Sequence, residues 1–248
     1  MKIPDFTPLN LRQLVEIKQS PQIFQDCYLV STLHALTKSC KGRQLLARNI
    51  QSSNNTSDIA FKINFPSYPQ DNFYITSKNI ENLHLTDKYC NTIEHGKKEN
   101  PAIKAVELAM NGLINMHSSA KPWICRRARC NELFEFNLVS NFMKIFTGKT
   151  PYTLNEKTLL ISLKTKRKET EALLERLSKE KKFSFVAGTG PALGEKLRGW
   201  HCYVVDKVDN NKKLLYLIDK REPKPICLPF EFAIRQIKYF VGYFSEDL

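Results

Sequence analysis

Through most of the first 180 residues the apolar positions recur at helical spacing, and beyond a basic segment ending near residue 182 they switch to the alternation of strands. PLNLRQLVEIKQSP, residues 8–21, reads as a loop or short helix, and the apolar run that starts at Cys27 continues as a helix to about Lys38. Residues 51–100 are rich in Asn, Ser, Thr and Asp, with short β-type runs, IAFKINF and NFYITS, joined by loops. NPAIKAVELAMNGLINMH, 100–117, has a proline near its start and apolar residues at helical spacing around Gly112. ELFEFNLVSNFMKIFTGK, 132–149, reads as a second helical unit ending at a glycine. In the basic run 164–182, Leu173, Leu174 and Leu177 form one apolar stripe, and the charges take the solvated face. Strand-type segments follow: KFSFVAGTG, then WHCYVVDKV and LLYLIDK joined by an Asp-Asn-Asn turn as a hairpin, and FEFAIRQIKYFVGYF. The pattern predicts an α+β chain, mostly helical first and mostly β afterwards.

Composition narrows the class. A chain of 248 residues with 42% hydrophobic content can bury a sizeable core. The opening residues carry neither a basic region nor an apolar core of a Sec-type signal, and no apolar run reaches the ~18 residues of a membrane span. Seven cysteines, an odd number scattered along a chain that needs no staples, predict free thiols in a reduced compartment. The net charge of +13 favours an acidic protein or another anionic surface as partner. No nucleic-acid-binding motif accompanies it: the aromatic RNA-binding signature is missing, CRRARC at 125–130 is too wide for a zinc knuckle, and GTGPALG lacks the Lys-Ser/Thr of a P-loop. No metal site and no cofactor are expected.

Candidate chemistry centres on Cys27. Asp26 can cap the helix that Cys27 begins, with Tyr28, Leu29, Leu33 and Leu36 facing the core. Unpaired N–H groups and a partial positive charge at a helix head favour a thiolate. A lone cysteine is otherwise a small buried hydrophobe. His34 lies seven residues along the same helix, a rise of about 10 Å, too far to serve Cys27. His84, His95 and His117 have no second partner at a strand position. His201 opens one strand of the predicted hairpin and Asp219 closes the other, so antiparallel pairing makes them neighbours. A carboxylate on one ring nitrogen fixes the tautomer and aims the other at a thiol.

These residues resemble the calpain-type branch of the papain-like cysteine proteases. QDCYLVSTLHAL is similar to the family's Asp-Cys-Trp segment, with Tyr28 in the place of the Trp; GWHCYVV resembles its GHAYSV, and LLYLIDK the strand that ends in its catalytic Asn, replaced here by Asp219. Softer similarities, in NPAIKAVELAMNGL, FMKIFTGK, LLERLSKEKKFSFVAGT and PFEFAIRQIKYF, occur in the same order, so that the resemblance covers most of residues 15–244. It implies a papain-like α+β fold as one two-lobed unit: residues 1–155 a mostly helical lobe with Cys27, and 156–248 a β-rich lobe with His201 and Asp219. It implies a thiol hydrolase of protein substrates acting through Cys27, His201 and Asp219. The family's oxyanion glutamine stands six residues before the cysteine, where this chain has Pro21; Gln22, or alternatively Gln25, is the replacement. The family's NPWG is replaced by DKRE, which removes the Trp that shields the histidine pair. Calcium is not implied for this chain. Two other readings stay open: an inactive module of the same fold that docks an acidic partner, and a Cys-His-Asp acyltransferase or deamidase. A stand-alone core in an Asn- and Lys-rich chain is further read as a bacterial effector, cytoplasmic or delivered into a host cytosol.

Overall fold

The computed structural model describes residues 5–19, 27–53, 58–86, 100–116, 132–155, 163–180, 182–190, 196–222 and 224–248. Among them the chain is an α+β structure with two antiparallel sheets. The elements of the first part are β1 (Phe6–Pro8), α1 (Leu11–Gln19), α2 (Cys27–Thr37), α3 (Cys40–Asn49), β2 (Ile50–Ser53), β3 (Ile59–Phe65), β4 (Tyr68–Thr76), α4 (Ser77–Thr86), α5 (Pro101–Met116) and α6 (Glu132–Thr147). Then follow β5 (Tyr152–Asn155), α7 (Leu163–Lys179), β6 (Phe183–Thr189), β7 (Cys202–Asp209), β8 (Leu214–Ile218), β9 (Ile226–Pro229), α8 (Phe230–Gln236) and β10 (Ile237–Phe244).

The smaller sheet runs β1-β2-β3-β4. Its two sequence-predicted runs pair as a hairpin, with Ile63 opposite Phe73. The strand ends where a reciprocal cap begins α4: the Thr76 hydroxyl accepts from the Asn79 amide (3.0 Å), and Asn79 Oδ1 accepts from the Thr76 amide (3.1 Å). The sequence reading did not include β1, whose partners lie more than 40 residues away at 51–53.

The larger sheet runs β5-β10-β6-β7-β8-β9 and has an apolar cluster on each face. β6 is buried on both sides, and its alternation divides it between the two clusters: Phe183, Phe185 and Ala187 join Leu173, Leu174 and Leu177 of α7, while Val186 joins the core around α2. The stripe read along the basic helix therefore meets one side of this sheet. On the other side α2 is enclosed nearly all round. Leu29, Val30, Leu33, Ala35 and Leu36 are fully buried, and Ser31 and Thr32 with them, so the single core-facing stripe predicted for this helix becomes a helix buried on all faces.

One segment differs from its strand reading. FEFAIRQ is helical, because Phe230, Ala233 and Ile234 recur at spacing three and four and bury together, and the strand of FEFAIRQIKYFVGYF begins only at Ile237. Two glycines serve close approach. A Cβ on Gly188 would meet the Tyr239 ring at 1.8 Å, and one on Gly242 would meet the Ser184 carbonyl at 2.2 Å. β6 and β10, paired along their length, thus pack with nothing between ring and backbone. Among the described residues no helix is long and apolar enough to cross a membrane.

Candidate active site

The hairpin of β7 and β8 forms as its alternation predicts, with Val204 opposite Ile218 and the turn closed by Asp209 Oδ1, which accepts from the Lys212 amide at 3.0 Å. Continuing that register past the ladder puts Tyr203 opposite Asp219 and leaves His201 diagonal to it on the same face. The two side chains meet: His201 Nε2 and Asp219 Oδ1 are 3.0 Å apart, with the residues only 4% and 1% exposed. Tyr203 packs its ring edge-on against the imidazole, centroids 4.8 Å apart.

Burial pushes the Asp219 carboxyl up. The hydrogen bond and charge of His201, the Arg221 amide bonded to the same oxygen (2.9 Å) and the Arg198 guanidinium together outweigh that, holding it below the ordinary carboxylate range. Asp219 is therefore an anion, and an anion on Nε2 makes that nitrogen the donor. His201 then has its basic nitrogen at Nδ1, the tautomer that the carboxylate on Nε2 selects.

The backbone of His201 is pinned from β6. Its amide donates to Thr189 Oγ1 (3.1 Å) and its carbonyl accepts from the Thr189 amide (3.0 Å), while Thr189 Oγ1 donates to the Arg198 carbonyl at 2.6 Å. Trp200, with φ of 52°, takes a left-handed turn just before the histidine and closes the loop by donating its amide to the Gly190 carbonyl (2.8 Å). A non-glycine residue in that region costs about 1 kcal/mol or more, so this turn is held by its surroundings. The Trp200 side chain is exposed.

Two contacts tie α2 to β7. Near the helix head, Ser31 Oγ donates to the Cys202 carbonyl (3.1 Å); just past the tail, Lys38 Nζ donates to the Val205 carbonyl (3.0 Å) and pairs with Asp206 (2.8 Å). Seven helical residues, about 10 Å, thus run alongside three or four strand residues of similar length, and helix and strand point the same way. Cys27 opens the helix one turn, about 6 Å, ahead of Ser31. By the same measure the head of α2 is level with the chain immediately before Cys202, where His201 stands. The alternation of β7 sends Cys202 and Val204 toward α2, and His201 lies outside the ladder at the lip of the sheet. The Cys27 side chain, and Gln22, Gln25 and Asp26 entirely, lie outside the described residues.

Of the other four histidines, His34 alone has a described side chain. His34 is buried at 2% exposure with neither ring nitrogen hydrogen-bonded, and burial, then the charges of Lys220, Lys38 and Lys18, lower its pKa to about 2. Only the backbone of His84, in α4, is described; His95 and His117 lie outside the described residues. Cys40, Cys202 and Cys227 are free thiols, and among the described residues no group of three His, Cys, Asp or Glu side chains gathers as a metal site would require.

The sequence reading missed Ser31, Thr189 and Arg198. Ser31 carries a usable signal, a polar residue amid an apolar run, whereas Thr189 and Arg198 look like ordinary strand-end and loop residues. Comparison with protein-family models and with curated proteins finds no match to this chain.

Proposed function

We propose that this chain is a cysteine protease of papain-like architecture. The Cys27 thiolate attacks a peptide or isopeptide carbonyl, His201 carries the proton from thiol to leaving amine, and Asp219 holds the imidazole in its working tautomer. The Cys27 backbone N–H, with Gln22 or Gln25, holds the oxyanion. Water then releases the acyl group and restores the thiol.

The observation that carries the reading is the buried His201–Asp219 pair at the lip of the larger sheet, level with the head of a buried helix whose first residue is a cysteine. A histidine buried only for packing has no need of an ionised carboxylate, and His34 in the same molecule has none. The calpain-like motif order, with Asp219 in place of the family's Asn, supports the same assignment. An anionic partner also stabilises an imidazolium better than an amide does.

An epoxysuccinyl thiol electrophile tests it: Cys27 is expected to label preferentially, with labelling falling at least tenfold in His201→Ala. Equal labelling of the two proteins, or preference for another of the seven cysteines, overturns the assignment. Mass spectrometry of a processed substrate, run with and without added primary amine, separates hydrolysis from acyl transfer and deamidation.

A further inference from the structure

Asp219 faces two ways. Oδ1 is occupied by His201 and by the Arg221 amide, while Oδ2, equally buried, makes no hydrogen bond; its charge is met by Arg198 Nε at 3.4 Å. The same guanidinium reaches outward through Nη2 to Glu222 Oε1 at 2.8 Å. Arg198 is anchored at its backbone as well, its amide donating to the Tyr203 hydroxyl (2.7 Å) and its carbonyl accepting from Thr189. A chain of alternating charge thus runs from the buried imidazole to the surface: His201, Asp219, Arg198, Glu222. Its last three members, Asp219, Arg198 and Glu222, line a 480 Å³ cavity with Tyr203, Lys196 and Lys224.

We propose that Arg198 is a positioning residue for the His201–Asp219 pair, fixing the second oxygen of Asp219 and drawing charge away from the oxygen that faces His201, with Glu222 clamping the guanidinium in place. The inference deepens the protease reading, and rests on it for the role of the pair. Its physical basis is the carboxylate itself. A buried anion with one oxygen unmet can rotate about χ2, and rotation would carry Oδ1 off the ring nitrogen; a cation at Oδ2 resists that rotation. The cation also opposes a second positive charge, so it limits how strongly Asp219 stabilises the imidazolium. The pair is then balanced between holding the ring and over-stabilising its charged form.

The charged and titratable groups around His201 set the signs. From the turn after β8 come Asp219 and Glu222, which favour the imidazolium. From the loop before β7 comes Arg198, with Lys196 and Lys224 further along the cavity wall, and these oppose it. Tyr203 on its own strand packs edge-on against the ring, and Cys27 at the head of α2 is the group with which His201 would exchange its proton.

The test is a titration of the His201 ring by NMR on isotopically labelled protein, in wild type, Arg198→Met, Arg198→Lys and Glu222→Gln, beside the pH profile of kcat/KM. Methionine keeps the stem and removes the charge. The His201 midpoint is expected to move up in Arg198→Met, to move down in Glu222→Gln and to stay near wild type in Arg198→Lys. The upper limb of the kcat/KM profile should follow each shift, and kcat/KM should fall about tenfold or more in Arg198→Met as the ring loses its aim. An unmoved or lowered midpoint in Arg198→Met overturns the proposal, as does a Glu222→Gln shift of the same sign. The ring titration needs no turnover. A charge-linked shift in an inert protein therefore retains the Arg198 assignment and removes the protease reading, whereas turnover with an unmoved midpoint does the reverse.

Discussion

His201 and His34 are almost equally buried, and what meets the ring separates them. His201 is bonded to an ionised carboxylate, whereas the ring nitrogens of His34 have no hydrogen bond among the described residues and feel the charges of Lys220, Lys38 and Lys18. A histidine neutral when folded but able to protonate when unfolded makes the unfolded state bind the extra proton. Stability should then fall as pH drops below about 6.5, by about 1.4 kcal/mol per pH unit from this one group. In His34→Leu, which replaces two unsatisfied nitrogens with apolar atoms of similar volume, urea unfolding at pH 6.5 and 5.5 should show about 1 kcal/mol less loss of stability between the two pH values than wild type, and stability at pH 7 unchanged or raised. An unaltered slope would mean that His34 is satisfied by a partner in solution. The sequence set His34 aside on its distance from Cys27 along one helix. Its burial without a partner was not legible, since the cations around it come from three separate segments.

At the scale of elements, the proposed site needs one helix and one hairpin, α2 and the β7–β8 pair. Both were legible: the apolar run from Cys27 and the alternation on either side of Asp209 have the correct period. What was not legible depends on contacts between distant segments. β1 needs β2 to exist, α8 hides inside a run rich in β-type residues, and Arg198 reaches Glu222 across 24 positions. Gly188 shows how tightly β6, the neighbour of the hairpin, is seated, its backbone lying under the Tyr239 ring whose hydroxyl contacts Cys202 Sγ at 3.2 Å. Gly188→Ala forces that ring aside, and should cost about 1–3 kcal/mol in chemical denaturation. Adding Tyr239→Leu should make the double variant less damaged than the sum of the two singles, because the second change removes what the first collides with. Strict additivity would place the strain elsewhere.

Among the described residues two apolar cores lie on opposite faces of the larger sheet, and the candidate pair stands at the end of that sheet beside Tyr203, which belongs to the core on the α7 face. One core encloses α2 and so fixes the height of its head; the other holds α7 and α8 against the far face and stiffens the strands that carry His201 and Asp219. Together they set how α2 and the β7–β8 hairpin are seated, the two elements on which the proposed use of Cys27 depends. That Cys27 is so used is the central claim. The rate of its alkylation by iodoacetamide, followed by peptide mass spectrometry from pH 5 to 9, measures it most directly. An ordinary thiol with a pKa near 8.5 is less than about 1% thiolate at pH 6. The account predicts that Cys27 already reacts at pH 6 at a substantial fraction of its pH 9 rate, and that His201→Ala returns it to ordinary thiol behaviour. A wild-type profile that tracks an ordinary thiol and does not change in His201→Ala would contradict it.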